Sequence, residues 1–181
     1  GKLQSGQMDS LLDFEFNEVA KNFVDGKIDE ADGYLSNRDK QLTNTGTLGQ
    51  FLSSHDEDGF LAVTLNGDRR KMKVASALQI TEKGQPVIYY GEELGLSGAN
   101  NYPQYDNRPQ MPWSEFEAGD SDMQDFYNHY KKLLNIRATH SKLFSKGPRA
   151  EVVEHQHPRK RSGRDCNTDH QCPQHRYTGN S

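Results

Sequence analysis

Apolar residues arrive in short runs along this chain, and their period changes repeatedly. Residues 8–16, Met-Asp-Ser-Leu-Leu-Asp-Phe-Glu-Phe, join a brief apolar heart to an alternating end, which predicts a strand. Asn17 is a suitable N-cap for a helix with Val19, Ala20 and Phe23 at helical spacing and Gly26 as its stop. A second helix is expected over residues 28–42, weakened by Gly33. The turn Asn44-Thr45-Gly46 then leads into a short buried strand over residues 47–52. Asp68 caps a third helix running through Lys83 and closed by Gly84. Its face with Met72, Ala75, Leu78, Gln79 and Ile80 should point inward, and Arg69, Arg70, Lys73 and Glu82 should face water. Residues 86–90, Pro-Val-Ile-Tyr-Tyr, read as a strand buried on both faces, as parallel-sheet strands are. Residues 122–139 form the last helix, with Tyr127 and Arg137 beside a core stripe of Phe126, Tyr130, Leu133 and Leu134.

Strand and helix thus alternate three times, the rhythm of a parallel sheet, so the fold class is α/β. Two connections are loops. One covers residues 57–67. The other, 91–121, is rich in Asn, Gly, Pro and Tyr and long enough that function or disorder is expected of it. His55 and Asp56 fall just beyond the C-terminal end of the second strand. In a barrel of parallel strands wrapped by helices, that rim is where ligands meet side chains. Three units cannot close an eight-stranded barrel, which takes ~250 residues.

Composition narrows the function classes. The 181 residues carry a formal net charge of −4, which argues against a nucleic-acid partner, since that needs a basic footprint. No run approaches the ~20 apolar residues a bilayer requires, so no membrane partner is expected. Without Met at position 1 or a signal-like N-terminus, the start at Gly1 is expected to be a cut inside a longer protein, and localisation is undetermined. Cys166 and Cys172 are the two cysteines, leaving the body without a disulfide framework. Residues 154–181 contain no Ile, Leu, Val, Met, Phe or Trp, and are expected to be disordered and frame-shifted. Cys166, His170, Cys172 and His175 are zinc-type donors within that stretch. Their spacing fits no zinc-finger pattern and reads as accidental clustering, so no metal site is expected.

Three segments carry a resemblance. Phe51-Leu52-Ser53-Ser54-His55-Asp56, then Gly84-Gln85-Pro86-Val87-Ile88-Tyr89-Tyr90-Gly91-Glu92-Glu93, then Asn107-Arg108-Pro109-Gln110-Met111-Pro112-Trp113 occur in order at compatible spacing. Together they resemble the α-amylase family, glycoside hydrolase family 13, over roughly residues 8–153. The resemblance implies a partial (β/α)8 barrel, its last three βα units, over residues 1–145. Residues 146–153 would then begin a truncated β-sandwich domain.

The activity implied is retaining cleavage of α-glucosidic bonds in starch-like glucans, of amylase, pullulanase or neopullulanase type. The nucleophilic Asp and the acid Glu would lie upstream of Gly1. Asp56 corresponds to the family's third carboxylate, which binds sugar hydroxyls and stabilises the transition state. His55, Asn107, Arg108 and Trp113 would bind substrate. Calcium enters as a cofactor of the parent protein, with its ligands also upstream and none in this chain. Tyr89 and Tyr90 either stack on sugar or are buried in the barrel wall. Asp13 and Glu15 match no catalytic motif and are expected to make strand-end or solvent contacts, and Glu92-Glu93 to position a loop. Two classes of function follow: a piece of an α-glucan hydrolase, or a catalytically inactive carbohydrate-binding or scaffolding remnant of the barrel. α-1,4 or α-1,6 preference, hydrolysis or transglycosylation, and oligomeric state stay open.

Overall fold

The computed structural model describes residues 8–149. Its elements are β1 (Leu12–Asp13), α1 (Phe16–Val24), α2 (Ile28–Gln41), β2 (Gly49–Gln50), α3 (Arg69–Thr81), β3 (Gln85–Pro86), α4 (Trp113–Glu117), α5 (Ser121–Thr139) and α6 (Ser141–Lys146). The three strands form a parallel sheet in the order β1-β2-β3. Leu12 stands opposite Gly49 and Asp13 opposite Gln50. Gly49 in turn pairs with Gln85, and Gln50 with Pro86. Helices α1, α2, α3 and α5 bury their apolar faces in one core, where Phe16, Leu35, Leu52, Phe60, Met72, Ile80 and Phe126 are all buried.

The predicted βα order is present, but the strands are shorter than the apolar runs that announced them. Phe16 does not end a strand; it is the fully buried first residue of α1, whose N-cap is Glu15 rather than Asn17. Residues 86–90 are not buried on both faces, and among the described residues β3 pairs with β2 alone. Val87 is 43% and Tyr90 42% exposed. The segment 57–67 is not all loop: Phe60–Thr64 winds as a π-helix that buries Phe60 and Leu61. In the long connection 91–121, Glu92–Leu94 is a 3₁₀ turn and α4 a short helix. Helix α3 ends at Thr81, and α5 starts one residue early, from the cap Asp120. Leu134, expected in the core, is 39% exposed. Residues 150–181, where the end of the sandwich strand, a frame-shifted tail and the zinc-type cluster are expected, lie outside the described residues.

A polar layer lies between sheet and helices. Asp13 accepts hydrogen bonds from Tyr34 Oη at 2.7 Å and Arg38 Nη1 at 3.2 Å, with both charged side chains only 3% exposed. Burial, and then the bond to Asp13, push the Tyr34 phenol well above its ordinary pKa. Arg38 also donates to Lys83 O at 2.7 Å and to Gln50 Oε1 at 3.3 Å. Gln50 and Gln79 are fully buried and bond reciprocally. Gln50 Nε2 donates to Gln79 O at 2.6 Å, and Gln79 Nε2 donates to Gln50 O at 3.1 Å and Val87 O at 3.0 Å. Both amide nitrogens are thus satisfied, as buried donors usually are, while Gln79 Oε1 is buried with no hydrogen-bond partner. Glu82, expected to face water, is instead 10% exposed, 3.6 Å from Arg38 Nη2. Gly84 (φ +134°) turns the chain from α3 into β3, where a Cβ would meet Gln50 Oε1 at 2.6 Å.

Candidate functional site

Two loops that follow the C-terminal ends of β2 and β3 meet at one rim. The first leaves β2 through Phe51 and Leu52, both buried, and Ser53, whose Oγ accepts from Phe60 N at 3.1 Å. Ser54 Oγ accepts from Asp56 N at 3.2 Å, tightening the turn that exposes His55 and Asp56. Their side chains are 63% and 74% exposed, with His55 Nε2 3.2 Å from Asp56 Oδ2.

The second loop returns from β3 to hold that turn. Asn107 is buried, and its Nδ2 donates to Glu57 O at 2.7 Å, His55 O at 3.0 Å and Ser54 O at 3.4 Å. Arg108 donates from Nε at 3.1 Å and Nη2 at 2.9 Å to the same His55 carbonyl, and its Nη2 lies 3.8 Å from Asp56 Oδ1. Tyr89 Oη donates to Asn107 O at 3.2 Å and Tyr90 Oη to Pro109 O at 2.9 Å, so both phenols tie the end of β3 to this loop. Further along, Gly59 N donates to Gly98 O at 2.7 Å and Asn101 N to Asp58 Oδ1 at 2.7 Å. Gly98 is required there, since a Cβ would sit 2.0 Å from Asp106 O.

Beneath the rim lies Glu92, only 2% exposed, its Oε2 accepting from Tyr89 N at 3.2 Å. Burial raises its pKa to about 8, against the opposing pull of the Ser53 hydroxyl and the Tyr89 amide. Glu92 therefore carries a proton at neutral pH and serves as a neutral strut under the loop. Sequence reasoning paired it with Glu93 and had no signal to separate the two.

His55, Asp56, Asn107 and Arg108 come together across some fifty residues of chain. Trp113 does not join the bonds that link them. It opens α4, is 57% exposed as a residue, and its amide donates to Met111 O at 3.0 Å. What the cluster offers is an exposed carboxylate flanked by an imidazole and a guanidinium, a set suited to neighbouring hydroxyls. Among the described residues no group of three or more His, Cys, Asp or Glu side chains converges to hold a metal ion. No described helix is long and apolar enough to cross a membrane. A cavity of about 510 Å³ opens elsewhere, beside β1, lined by Leu12, Asp13, Phe14, Tyr34, Arg38 and Leu42 among others. Asp13 and Arg38 in its wall are already paired with each other, so the rim is the better candidate for chemistry.

Comparison with known proteins converges on one family. The family model for the alpha amylase catalytic domain matches residues 3–123. A cyclomaltodextrinase of Bacillus sp is 30% identical over 146 residues, covering 78% of this chain and 25% of that protein. Neopullulanase 2 of Thermoactinomyces vulgaris is 32% identical over 147 residues, covering 76% of this chain and 23% of the relative. Among solved structures, a cyclomaltodextrinase superposes with a TM-score of 0.61 at 28% identity, covering 76% of this chain and 23% of that one. The chain thus spans about a quarter of the length of the curated relatives it matches.

Proposed function

The chain belongs to the alpha-amylase family, and from that premise we propose that it forms the last three βα units of an α-glucan-cleaving barrel and supplies the rim that grips the sugar at the cleaved bond. The observation that carries this reading is the cluster itself. Two loops from the C-terminal ends of adjacent parallel strands converge so that Arg108 braces the turn bearing His55 and Asp56. Asp56 accepts hydrogen bonds from two adjacent hydroxyls of one pyranose ring, bonds strengthened by its charge. As the ring flattens toward an oxocarbenium-like transition state, those bonds shorten and the carboxylate opposes the growing positive charge. His55 donates to a neighbouring hydroxyl, and Arg108 orients the carboxylate. Asn107 serves the same site through the carbonyls it holds, and Trp113 offers a ring face to sugar from the start of α4.

Retaining cleavage also requires a carboxylate nucleophile and a protonated carboxylic acid about 5 Å apart across the glycosidic bond. We assign both to segments upstream of Gly1. The 181 residues alone are then expected to bind maltooligosaccharides without hydrolysing starch or pullulan. Reducing-sugar release by the purified chain, abolished by Asp56→Asn, would show that this assignment is wrong.

A further inference from the structure

The loop that carries Asn107 and Arg108 also presents two tyrosines that the reading above leaves unused. Tyr102 is 79% exposed and Tyr105 43%. Neither ring is loose. They stand edge to face, with centroids 6.0 Å apart at an interplanar angle of 86°. The Arg108 guanidinium carbon lies 4.5 Å from the centre of the Tyr105 ring, and the same group reaches Asp56. Asp56, Arg108, Tyr105 and Tyr102 thus form one series of neighbouring side chains. Stacking covers one face of Tyr105 with a cation, while Tyr102, at the end, keeps most of its surface open.

The backbone beneath them is braced. Tyr105 N donates to Asn101 O at 2.7 Å and Arg108 N to Tyr105 O at 3.0 Å, while Asn101 N is anchored to Asp58. Asn100 Nδ2 adds a bond of 3.2 Å to Asp106 Oδ2. A rigid ring on a braced turn loses little conformational freedom when something stacks on it. Tyrosine joins an apolar face to a polar tip, and a pyranose has the same division: axial C–H bonds on one face, hydroxyls around the edge.

We propose that Tyr102, propped by Tyr105, is a stacking platform for a glucose unit lying outward from the one gripped by Asp56. The platform would give the site a preference for longer α-glucans. This rests on the reading of Asp56 as a sugar-binding carboxylate. A second copy of the chain is the rival occupant of so exposed a ring. Continuity with Arg108 and Asp56 favours the sugar, because a glucan bound at the rim would extend along that series.

The test is calorimetric titration of the full 181-residue chain with maltose and with maltoheptaose, alongside Tyr102→Ala, Tyr102→Phe and Asp56→Asn. Far-UV circular dichroism checks that each variant keeps its helices. Tyr102→Ala should weaken maltoheptaose about tenfold, the equivalent of one good aromatic contact, while leaving maltose nearly unchanged. Tyr102→Phe keeps the ring and should retain most of the maltoheptaose affinity. Unaltered maltoheptaose binding by Tyr102→Ala overturns the platform alone, as does a loss of self-association with no change in sugar binding. Asp56→Asn should weaken both sugars. If it weakens neither, or if the unchanged chain shows no saturable binding, the rim reading fails and the platform with it.

Discussion

Asn107 commits its amide hydrogens to carbonyls on a turn fifty residues earlier, at Ser54, His55 and Glu57. Replacing it by Ala would strand the Ser54 and Glu57 carbonyls, while His55 O keeps its bonds from Arg108, at a cost of about 1–3 kcal/mol. Asn107→Asp should be worse, since an acceptor would then face three acceptors. Urea unfolding of the chain is the check, and an Asp variant as stable as the parent would refute the role. Glu92 predicts a pH effect of definite sign. Its folded pKa of about 8 exceeds the ordinary 4.5, so the folded state holds a proton that the unfolded chain has released between those values. Its contribution is present in full below about pH 4.5 and is lost as pH rises through 8. Thermal midpoints should fall as pH rises from about 4.5 to 8 and level off above that, and Glu92→Gln should flatten the slope. His129 contributes in the opposite direction, because burial lowers its pKa from 6.5. The measurement therefore belongs above neutrality. Neither the Asn107 clamp nor the buried proton was legible in the sequence. A polar residue in a loop has no period, and two adjacent glutamates look alike until packing separates them.

At the scale of elements, periodicity finds the four longer helices, misses the short α4 and α6, and misjudges the strands. Helices α3 and α5 carry recurrent apolar positions over thirteen and nineteen residues, enough turns for a pattern to repeat. The ladder spans two residues per strand, and an apolar run cannot say where pairing stops. The five-residue π-helix at Phe60–Thr64 is too short to show any period. An aspartate marks one helix start in the sequence, Asp68; Asp120 caps α5 in the same way, two residues before the Asp122 at which periodicity starts that helix. Asp68 Oδ1 accepts from Arg70 N and Lys71 N, and Asp120 Oδ1 from Asp122 N and Met123 N. Asp68→Ala and Asp120→Ala should each cost about 1 kcal/mol. The C-terminus of α3 was not readable, because its caps come from other helices. Arg137 donates to Glu82 O at 3.0 Å, to Ile80 O and to Gly84 O, and Arg38 to Lys83 O. Positive charge at this end also suits the helix dipole. Arg137→Met, which removes a donor from three carbonyls at once, should therefore exceed either cap variant in the same unfolding experiment. Equal losses would show that solvent satisfies those carbonyls.

For the whole molecule, the three-stranded sheet has two outer strands, each with one side unpaired among the described residues. Apolar side chains are exposed at both: Leu12 at 53% and Phe14 at 65% on the β1 side, and Val87 at 43% beside β3. The 510 Å³ cavity beside β1 belongs to the same uncovered region. Barrels abolish such edges by closing, whereas among the described residues these two have no further strand beside them. The α/β rhythm and the rim motif were legible because each is local. Which strand faces stay covered depends on neighbours, and the apolar run at 86–90 carried no sign that one would be open. An open edge with an apolar face is a site for pairing with another chain. The isolated 181 residues should therefore self-associate, seen as a sedimentation coefficient that rises with concentration in the micromolar range. Phe14→Lys and Val87→Lys together should suppress the rise, since a charge at a sheet edge opposes pairing; Phe14 also packs on the buried Phe51 ring, so circular dichroism should confirm that the variant keeps its helices. Concentration-independent sedimentation of the unchanged chain would mean that both edges are already covered by something other than a second copy.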